Sequence, residues 1–287
     1  MTSPPTAGLG FKAQHFEPAL ADPAAGLWFE VHAENYMVAG GPRLAMLEAL
    51  RQERPLSLHG VGLSLAADAD PDADHLARLK RLADRFEPFA VSEHLAWSAW
   101  GGAYHGDLLP FPRSAAALAR LIRNVDIVQD TLGRRILIEN PSLYAPLDGH
   151  DMDEAGFLTE LVRHTGCGLL ADINNAFVSA RNLGLDALAY LDSLPAEAVG
   201  EIHLAGHGPD PEQGEALLID THGAPVAEPV WDLYQRLVAR IGPRPTLIER
   251  DQDIPPFAEL MAERDRAAAI LGDCASARPS RRLAVHV

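Results

Sequence analysis

The chain has 287 residues, 47% of them hydrophobic and 22% charged, and carries a formal net charge of −16. The length suits one α/β barrel, no apolar stretch approaches the roughly 20 residues that span a bilayer, and the acidic balance disfavours nucleic acid, whose phosphates are held by clustered Lys and Arg. Two cysteines, Cys167 and Cys274, exclude a disulfide framework and the usual thiolate zinc site, and the N-terminus lacks the basic and apolar regions of a secretory signal, so residence in the cytoplasm is expected.

Gly8 to Lys12 (GLGFK) and the stretch from Leu27 (LWFEVHAEN) read as strands, with helix and turn character between them in HFEPALADPAAG. The same unit then recurs. A helical segment precedes each of the apolar runs PLSLHGVGLSL, FAVSEHL, RRILIENP, CGLLADINN, EIHLAGH and TLIER. Strands alternating with helical connectors imply parallel strands joined by crossovers, and eight such units predict an α/β fold of the closed (β/α)8 TIM type, a single domain over residues 1–272. Residues 273–287, rich in arginine, are expected to form a flexible tail. One connector departs from the pattern: LAGHGPDPEQGEALLIDTHGAPVAEP, after His203, has the Gly and Pro content of a long loop, with a short extra strand or hairpin arm at LLID.

Six of the apolar runs end in a histidine or carboxylate: His59, His94, Glu139, Asp172, His203 and Glu249. A strand delivers its last side chain to one rim of the sheet, and in a (β/α)8 barrel the rim at the strand C-termini carries the chemistry. Burying so many imidazoles and carboxylates without partners would cost several kcal/mol per charged group, and a bound metal cluster is the simplest explanation. The loop adds Asp220 and His222, two residues apart in DTHG and expected on one side of an extended segment. Imidazole and carboxylate ligands without thiolate suit Fe, Mn or Zn, and one ion uses only some of these groups, so more than one ion is expected. Glu139 and Glu249, on nominally opposite strands, are the candidate bridges.

Each of these residues also has a plainer role. A lone His59 or His94 fits a core or hydrogen-bonding group, Asp172 fits a helix cap, Glu139 before Asn140 and Pro141 fits a turn, and Asp220 and His222 fit an ordinary loop. Their joint recurrence favours metal. Asn175 suits capping of the next helix as well as ligation, and His207 suits orienting His203 or gripping substrate. Glu30, His32, Glu34, Asn35 and Tyr36 share one strand end, where substrate contact or support of the ligands is expected, Glu34 and Asn35 being the substrate candidates. Trp97, with Trp100 and Tyr104, suits the lining of a rim for a peptide or small molecule, or core packing. The glycines of GVGLSL and WGGAYHGD lack the following Lys of a phosphate loop.

The ordered motifs HAENYM, PLSLHGVGLSL, SEHLAW, ILIENP, DINN, EIHLAGH, IDTHG and LIERD resemble the multinuclear non-haem iron-dependent oxidative enzymes. That family includes the iron-containing subunit of methanobactin biosynthesis and the maturases of bufferin peptides. The resemblance spans roughly Gly8 to Leu271, and HAENYM followed by VAGGP looks most like the bufferin-maturase branch. It implies a TIM-type barrel holding two or three irons, mixed Fe2+ and Fe3+, that uses O2 to oxidise cysteines of a ribosomally made precursor peptide, with a partner protein that presents the leader. By that analogy His59, His94, Glu139, Asp172, His203 and Glu249 hold two irons, and Asp220, His222 and Asn175 the third. The chemistry it suggests is hydrogen abstraction at a cysteine β-carbon followed by heterocycle formation. Binding of the thiol would need no dedicated protein base, because a ferric ion depresses its pKa.

Two other classes compete. A sugar isomerase or an apurinic-type endonuclease also places His, Glu and Asp at the strand ends of a barrel. The endonuclease calls for a basic DNA-facing surface, which the net charge disfavours, and the isomerase for a lysine near the metals, where Lys12 is the candidate and Lys80 the only other lysine. The second class is a non-catalytic metal-binding scaffold subunit, against which ligands on so many strands argue.

Overall fold

Short Val, Ile, Leu and Ala runs form strands here because both faces of each strand are covered, by the barrel interior and by helices. The computed structural model describes residues 6–101 and 103–277. In chain order the elements are β1 (Ala7–Gly10), α1 (Phe16–Ala21), β2 (Phe29–His32), α2 (Pro42–Glu53), β3 (Leu56–Gly60), α3 (Ala73–Phe86), β4 (Ala90–His94), β5 (Trp97–Trp100), β6 (Ala103–Leu109), α4 (Ala115–Leu132), β7 (Leu137–Glu139) and α5 (Glu154–Thr165). They continue with β8 (Gly168–Asp172), α6 (Ile173–Leu183), α7 (Ala187–Ser193), β9 (Val199–Ala205), β10 (Gly208–Asp210), β11 (Gly214–Ile219), α8 (Glu228–Ile241), β12 (Thr246–Glu249) and α9 (Phe257–Ala277). Eight parallel strands close into a ring in the order β1, β12, β9, β8, β7, β4, β3, β2, so the expected (β/α)8 barrel is the observed fold.

The helices carry their own punctuation. Asp72, Ser114 and Asp153 cap α3, α4 and α5 by accepting the backbone N–H three residues on, and each cap contributes about 1 kcal/mol. Leu76, Leu79, Leu82 and Phe86 recur at helical spacing along the buried face of α3, as do Leu121, Val125, Val128 and Leu132 along α4.

Four features differ from the sequence expectation. After β4 the chain inserts an antiparallel hairpin, β5–β6, instead of passing straight to a helix. Helix α6 follows β8 directly and Asp172 caps it, in keeping with the plainer role of that residue, although the sequence pattern places a helix between these strands only at the LDALAYL segment. Helix α9 continues to Ala277, past the boundary expected for the tail, and residues 278–287 lie outside the described residues. Glu139 and Glu249 are not on opposite strands, since only β8 and β9 separate β7 from β12. The second insertion matches expectation: LLID forms part of β11, which pairs antiparallel with β10.

Strand register fixes what faces what at the rim. His94 lies beside Glu139, Asp172 beside His203 and His32 beside His59. Alternation then places Glu30, Ser57, Ser92 and Glu201, each two residues earlier, in a polar layer just below.

Candidate metal centre

Three donor atoms meet at the ends of β3, β4 and β7. His59 Nε2 and His94 Nε2 are 3.2 Å apart, and they lie 3.1 and 3.2 Å from Glu139 Oε2. Two donors each about 2.1 Å from one ion, roughly 90 to 110° apart, are separated by about 3.0 to 3.4 Å, so this triangle fits a single cation. The other ring nitrogens are engaged: His94 Nδ1 donates to the Gly60 carbonyl at 3.1 Å, and His59 Nδ1 lies 2.7 Å from Ser92 Oγ. Each bond leaves the Nε2 lone pair aimed at the shared point. A Cβ at Gly60 would stand 2.7 Å from Glu93 Oε2, so a larger residue there would have to displace that carboxylate.

Glu139 faces a second position with its other oxygen. Oε1 lies 3.8 Å from His203 Nδ1, Glu249 Oε2 approaches the same nitrogen at 3.2 Å, and ligand atoms of Glu139, Asp172 and His203 lie within 4.8 Å of one another. His203 Nε2 points to the layer below, 3.3 Å from Glu30 Oε1 and 3.6 Å from Glu201 Oε1. A carboxylate on the far nitrogen orients a ligating imidazole and raises its basicity. Asp172 has two duties. Its Oδ1 caps α6 by accepting from the Asn175 N–H at 2.6 Å, while its buried Oδ2 has no hydrogen-bond partner among the described residues.

Glu249 turns its remaining oxygen to a third position. Oε1 lies 3.5 Å from His222 Nδ1 and 3.5 Å from His32 Nε2, and Asp172, His222 and Glu249 form another group within 4.8 Å. Asp220 Oδ1 is 2.8 Å from His222 Nε2. The two residues of DTHG do not meet by extended alternation. His222 sits at φ 49°, a left-handed conformation costing about 1 kcal/mol or more for such a residue. Its backbone is pinned on both sides: its N–H donates to Gly206 at 3.0 Å, and its carbonyl accepts from Asp251 and Gln252. Asp251 Oδ2 also accepts from His222 Nδ1 at 3.2 Å, which turns Nε2 toward Asp220. Asn175 donates its amide to the Asn140 carbonyl, leaving a buried Oδ1 without partner.

Close approach without hydrogen-bond alignment is the signature of the whole centre. Glu139 Oε2, Asp172 Oδ2, His203 Nδ1, His222 Nε2 and Asn175 Oδ1 are all buried and lack hydrogen-bond partners among the described residues, although oppositely charged groups stand nearby. Unsatisfied buried polar atoms cost about 1 to 3 kcal/mol each, and a cation at each convergence point satisfies them together. The donor set, imidazole and carboxylate, fits iron, manganese or zinc.

Proton equilibria follow the same geometry. Burial opposes protonation of His94, but Glu139 and Glu93 outweigh it and lift the imidazole to about 9. Burial alone would raise Glu139, yet His94 and His59 pull it down to about 2. His203 and His222 are likewise raised well above the usual imidazole range against their burial, His203 chiefly by Glu30 and His222 by Glu249 and Asp220. Burial, with the charges of Glu139 and Asp220, pushes Asp172 well up. Burial and the neighbouring Glu30 raise Glu201 to about 8. Such groups must release protons to bind cations, so protons and metal compete for one centre.

All nine residues expected as ligands reach this rim. The residues expected beside them fare differently. His207 does not contact His203; its Nδ1 donates to Asn174 Oδ1 at 2.7 Å, and Asn174 donates in turn to Asp220 at 2.6 Å, so it braces the third position. Glu34 Oε1 accepts from the Val61 N–H at 3.0 Å and lies 3.2 Å from His75 Nε2, while its buried Oε2 has no hydrogen-bond partner among the described residues. Trp97 donates to the Pro110 carbonyl and meets His105 edge-on, bracing the hairpin. The side chain of Trp100 lies outside the described residues. Asn35 lines a cavity of about 330 Å3 with His32, Glu249 and Asp251. A neighbouring space of about 240 Å3 shares those last three residues and is bounded by His59, His94, His222, Tyr144 and the hairpin residues Asp107 and Leu108.

Sequence reasoning passed over Asp251, which LIERD places two residues after Glu249, and Glu201, two before His203. Alternation along a strand was the available signal for both. Lys12 reaches the rim, with Nζ 2.6 Å from Asp251 Oδ1.

A UPF0276 protein of Caulobacter vibrioides is 69% identical over 274 residues, covering 96% of this chain and 98% of its own length. One of Bordetella bronchiseptica is 52% identical over 269 residues, covering 93% of each. Among solved structures, a xylose isomerase domain protein from Planctomyces limnophilus is 14% identical with a TM-score of 0.56, covering 96% of this chain and 98% of that one. Endonuclease IV from Thermus thermophilus is 16% identical with a TM-score of 0.54, covering 95% and 99%. At such identities the likeness is one of fold alone. Residues 6–272 match the family described as RiPP precursor modification enzyme MbnB/TglH/ChrH, and the chain belongs to that family of enzymes acting on precursors of ribosomally made peptides.

Proposed function

We propose that the protein is a multinuclear iron-dependent oxidase that uses O2 to modify cysteine residues of a ribosomally synthesised precursor peptide, in the manner of bufferin maturation. The observation that carries the reading is the convergence of four imidazoles around Glu139 and Glu249, which each face two positions; His59, His94 and His222 have their second nitrogen hydrogen-bonded, and His203 turns its own toward Glu30 at 3.3 Å. Iron held there would supply redox equivalents and open positions at which a cysteine thiolate and O2 are brought together.

The rest of the chemistry lies with the chain. His59, His94 and Glu139 would hold one iron, Glu139, Asp172, His203 and Glu249 the next, and Asp172, Asn175, Asp220, His222 and Glu249 the third. Glu30 and Asp251 fix the tautomers of His203 and His222. The adjoining cavities at the rim suit an extended peptide strand bearing a small side chain, and His32 and Asn35 stand where it enters. A separate protein that presents the leader, and a cytoplasmic setting, complete the proposal. No helix among the described residues is long and apolar enough to cross a membrane.

The sugar-isomerase reading needs a lysine free to act at the metals. Lys12 is at the rim, but its amine is tied to Asp251, so nothing further favours that reading.

The test is anaerobic purification with metal analysis and Mössbauer spectroscopy, followed by O2 uptake and mass spectrometry with a cysteine-containing peptide encoded beside this gene. Three irons per fully loaded chain and an oxidative mass change on cysteine are expected. Zinc alone at one ion per chain, with no O2 uptake, would sink the proposal.

A further inference from the structure

Away from the metal centre, one groove combines unpaired positive charge with apolar surface. It has a volume of about 390 Å3 and lies between the chain after β2 and one face of α3, with Met37, Val38 and Leu44 on one side and Arg78, Arg81 and Arg85 on the other. The three arginines sit at i, i+3 and i+7, which spreads them along about 10 Å of one helix face. Arg85 is committed, its Nε donating to Glu48 of α2 at 3.1 Å. The side chains of Arg78 and Arg81 make no ion pair or hydrogen bond among the described residues.

In a chain with 40 acidic and 24 basic residues, two arginines in one groove without carboxylate partners among the described residues make a local positive surface. Val38, 51% exposed, places an apolar side chain beside them. Tyr36 lines both this groove and the cavity containing His32 and Glu249, so the two lie on either side of one side chain. Guanidinium groups bind carboxylates in a fixed, two-pronged geometry, and alternate side chains of an extended segment would reach the arginines and the apolar wall in turn.

We infer that this groove docks an acidic, partly apolar segment of the precursor peptide and so feeds its cysteines to the metal centre. The inference rests on the peptide-modifying reading above and adds to it a recognition site on the barrel itself. Nucleic acid is the competing occupant, but an apolar wall without stacking aromatics in the groove beyond Tyr36 suits a peptide better.

The probe is a fluorescein-labelled peptide of about twelve residues alternating Glu with Leu or Val, compared with its counterpart carrying Lys for Glu and with a uridine oligonucleotide of equal length. In anisotropy titrations at low ionic strength the Glu peptide should bind at least about tenfold tighter than the Lys peptide. The double variant Arg78→Glu/Arg81→Glu should lose that preference, and Arg78→Gln/Arg81→Gln should retain part of it. Equal affinity for both peptides, a charge-reversed variant that melts like the parent yet binds unchanged, or tighter binding of the oligonucleotide overturns the inference. The titration needs no iron, O2 or turnover. A protein that binds the Glu peptide but leaves cysteines unmodified therefore refutes the oxidase proposal alone, and one that oxidises cysteine without this preference refutes the docking site alone.

Discussion

Metal uptake by chelator-stripped protein should release protons and tighten steeply with pH. His94 holds its proton to about 9 because Glu139 and Glu93 stabilise the imidazolium, and its Nε2 is one corner of the first donor triangle. Displacing that proton near pH 7 costs about 3 kcal/mol, two units at about 1.4 kcal/mol each, so affinity at the first position should rise roughly fiftyfold between about pH 7 and pH 9, where half of the imidazole is already deprotonated. His203, His222 and Asp172 are shifted in the same direction, and the whole centre should release about one proton or more per ion. Anaerobic calorimetric titration with Fe(II), in buffers of different ionisation enthalpy, counts those protons directly. Stability gives a second readout. The folded-state pKa of His94 lies above its unperturbed 6.5, so its contribution is fully present below that value and disappears as the pH rises through about 9. Stripped protein should melt lower at about pH 9 than at pH 7, while the gap to the loaded protein widens. Proton release near zero, with an affinity flat in pH, would refute the assignment of His94 as a ligand facing Glu139.

Three substitutions probe other parts of the centre. Glu139→Gln, which removes the carboxylate shared by two positions, should lose metal at both while far-ultraviolet circular dichroism stays like the parent; unchanged iron content removes Glu139 from the ligand set. Glu30→Gln leaves every donor atom in place but weakens the hold on His203 Nε2, and metal affinity measured by chelator competition should fall about 10- to 100-fold. Gly206→Ala would set a Cβ 2.0 Å from the Ala224 carbonyl oxygen and displace the strand that pins the His222 N–H. Metal analysis should then show the third position depleted and the first retained, and full occupancy of all positions would contradict that.

The barrel was readable because buried parallel strands are unbroken apolar runs, and each barrel strand from β3 onward carries at or near its C-terminal end the residue it delivers, as at His59, Glu139 and Asp172. What stayed hidden depends on register and backbone conformation. Glu30 and Glu201 become partners of His203 only once β2, β8 and β9 are aligned. The left-handed turn at His222 has no local signal, since the residue is not glycine, and its strain is held by contacts to Gly206 and Asp251 distant in sequence. The β5–β6 hairpin did leave a trace, a glycine pair flanked by aromatic residues, which reads as a turn between strands. Asp172 shows why the plain reading and the functional one need not compete: one oxygen caps α6 and the other faces the metals.

The proposed centre is a row of three cation positions joined by two carboxylates. Anomalous diffraction at the iron edge, from crystals of anaerobically purified protein, should show three peaks spaced by about 3.5 to 4 Å, the middle one between Glu139 and Glu249. A single peak at His59, His94 and Glu139, with the remaining donors closed on one another by ordinary hydrogen bonds, would contradict it.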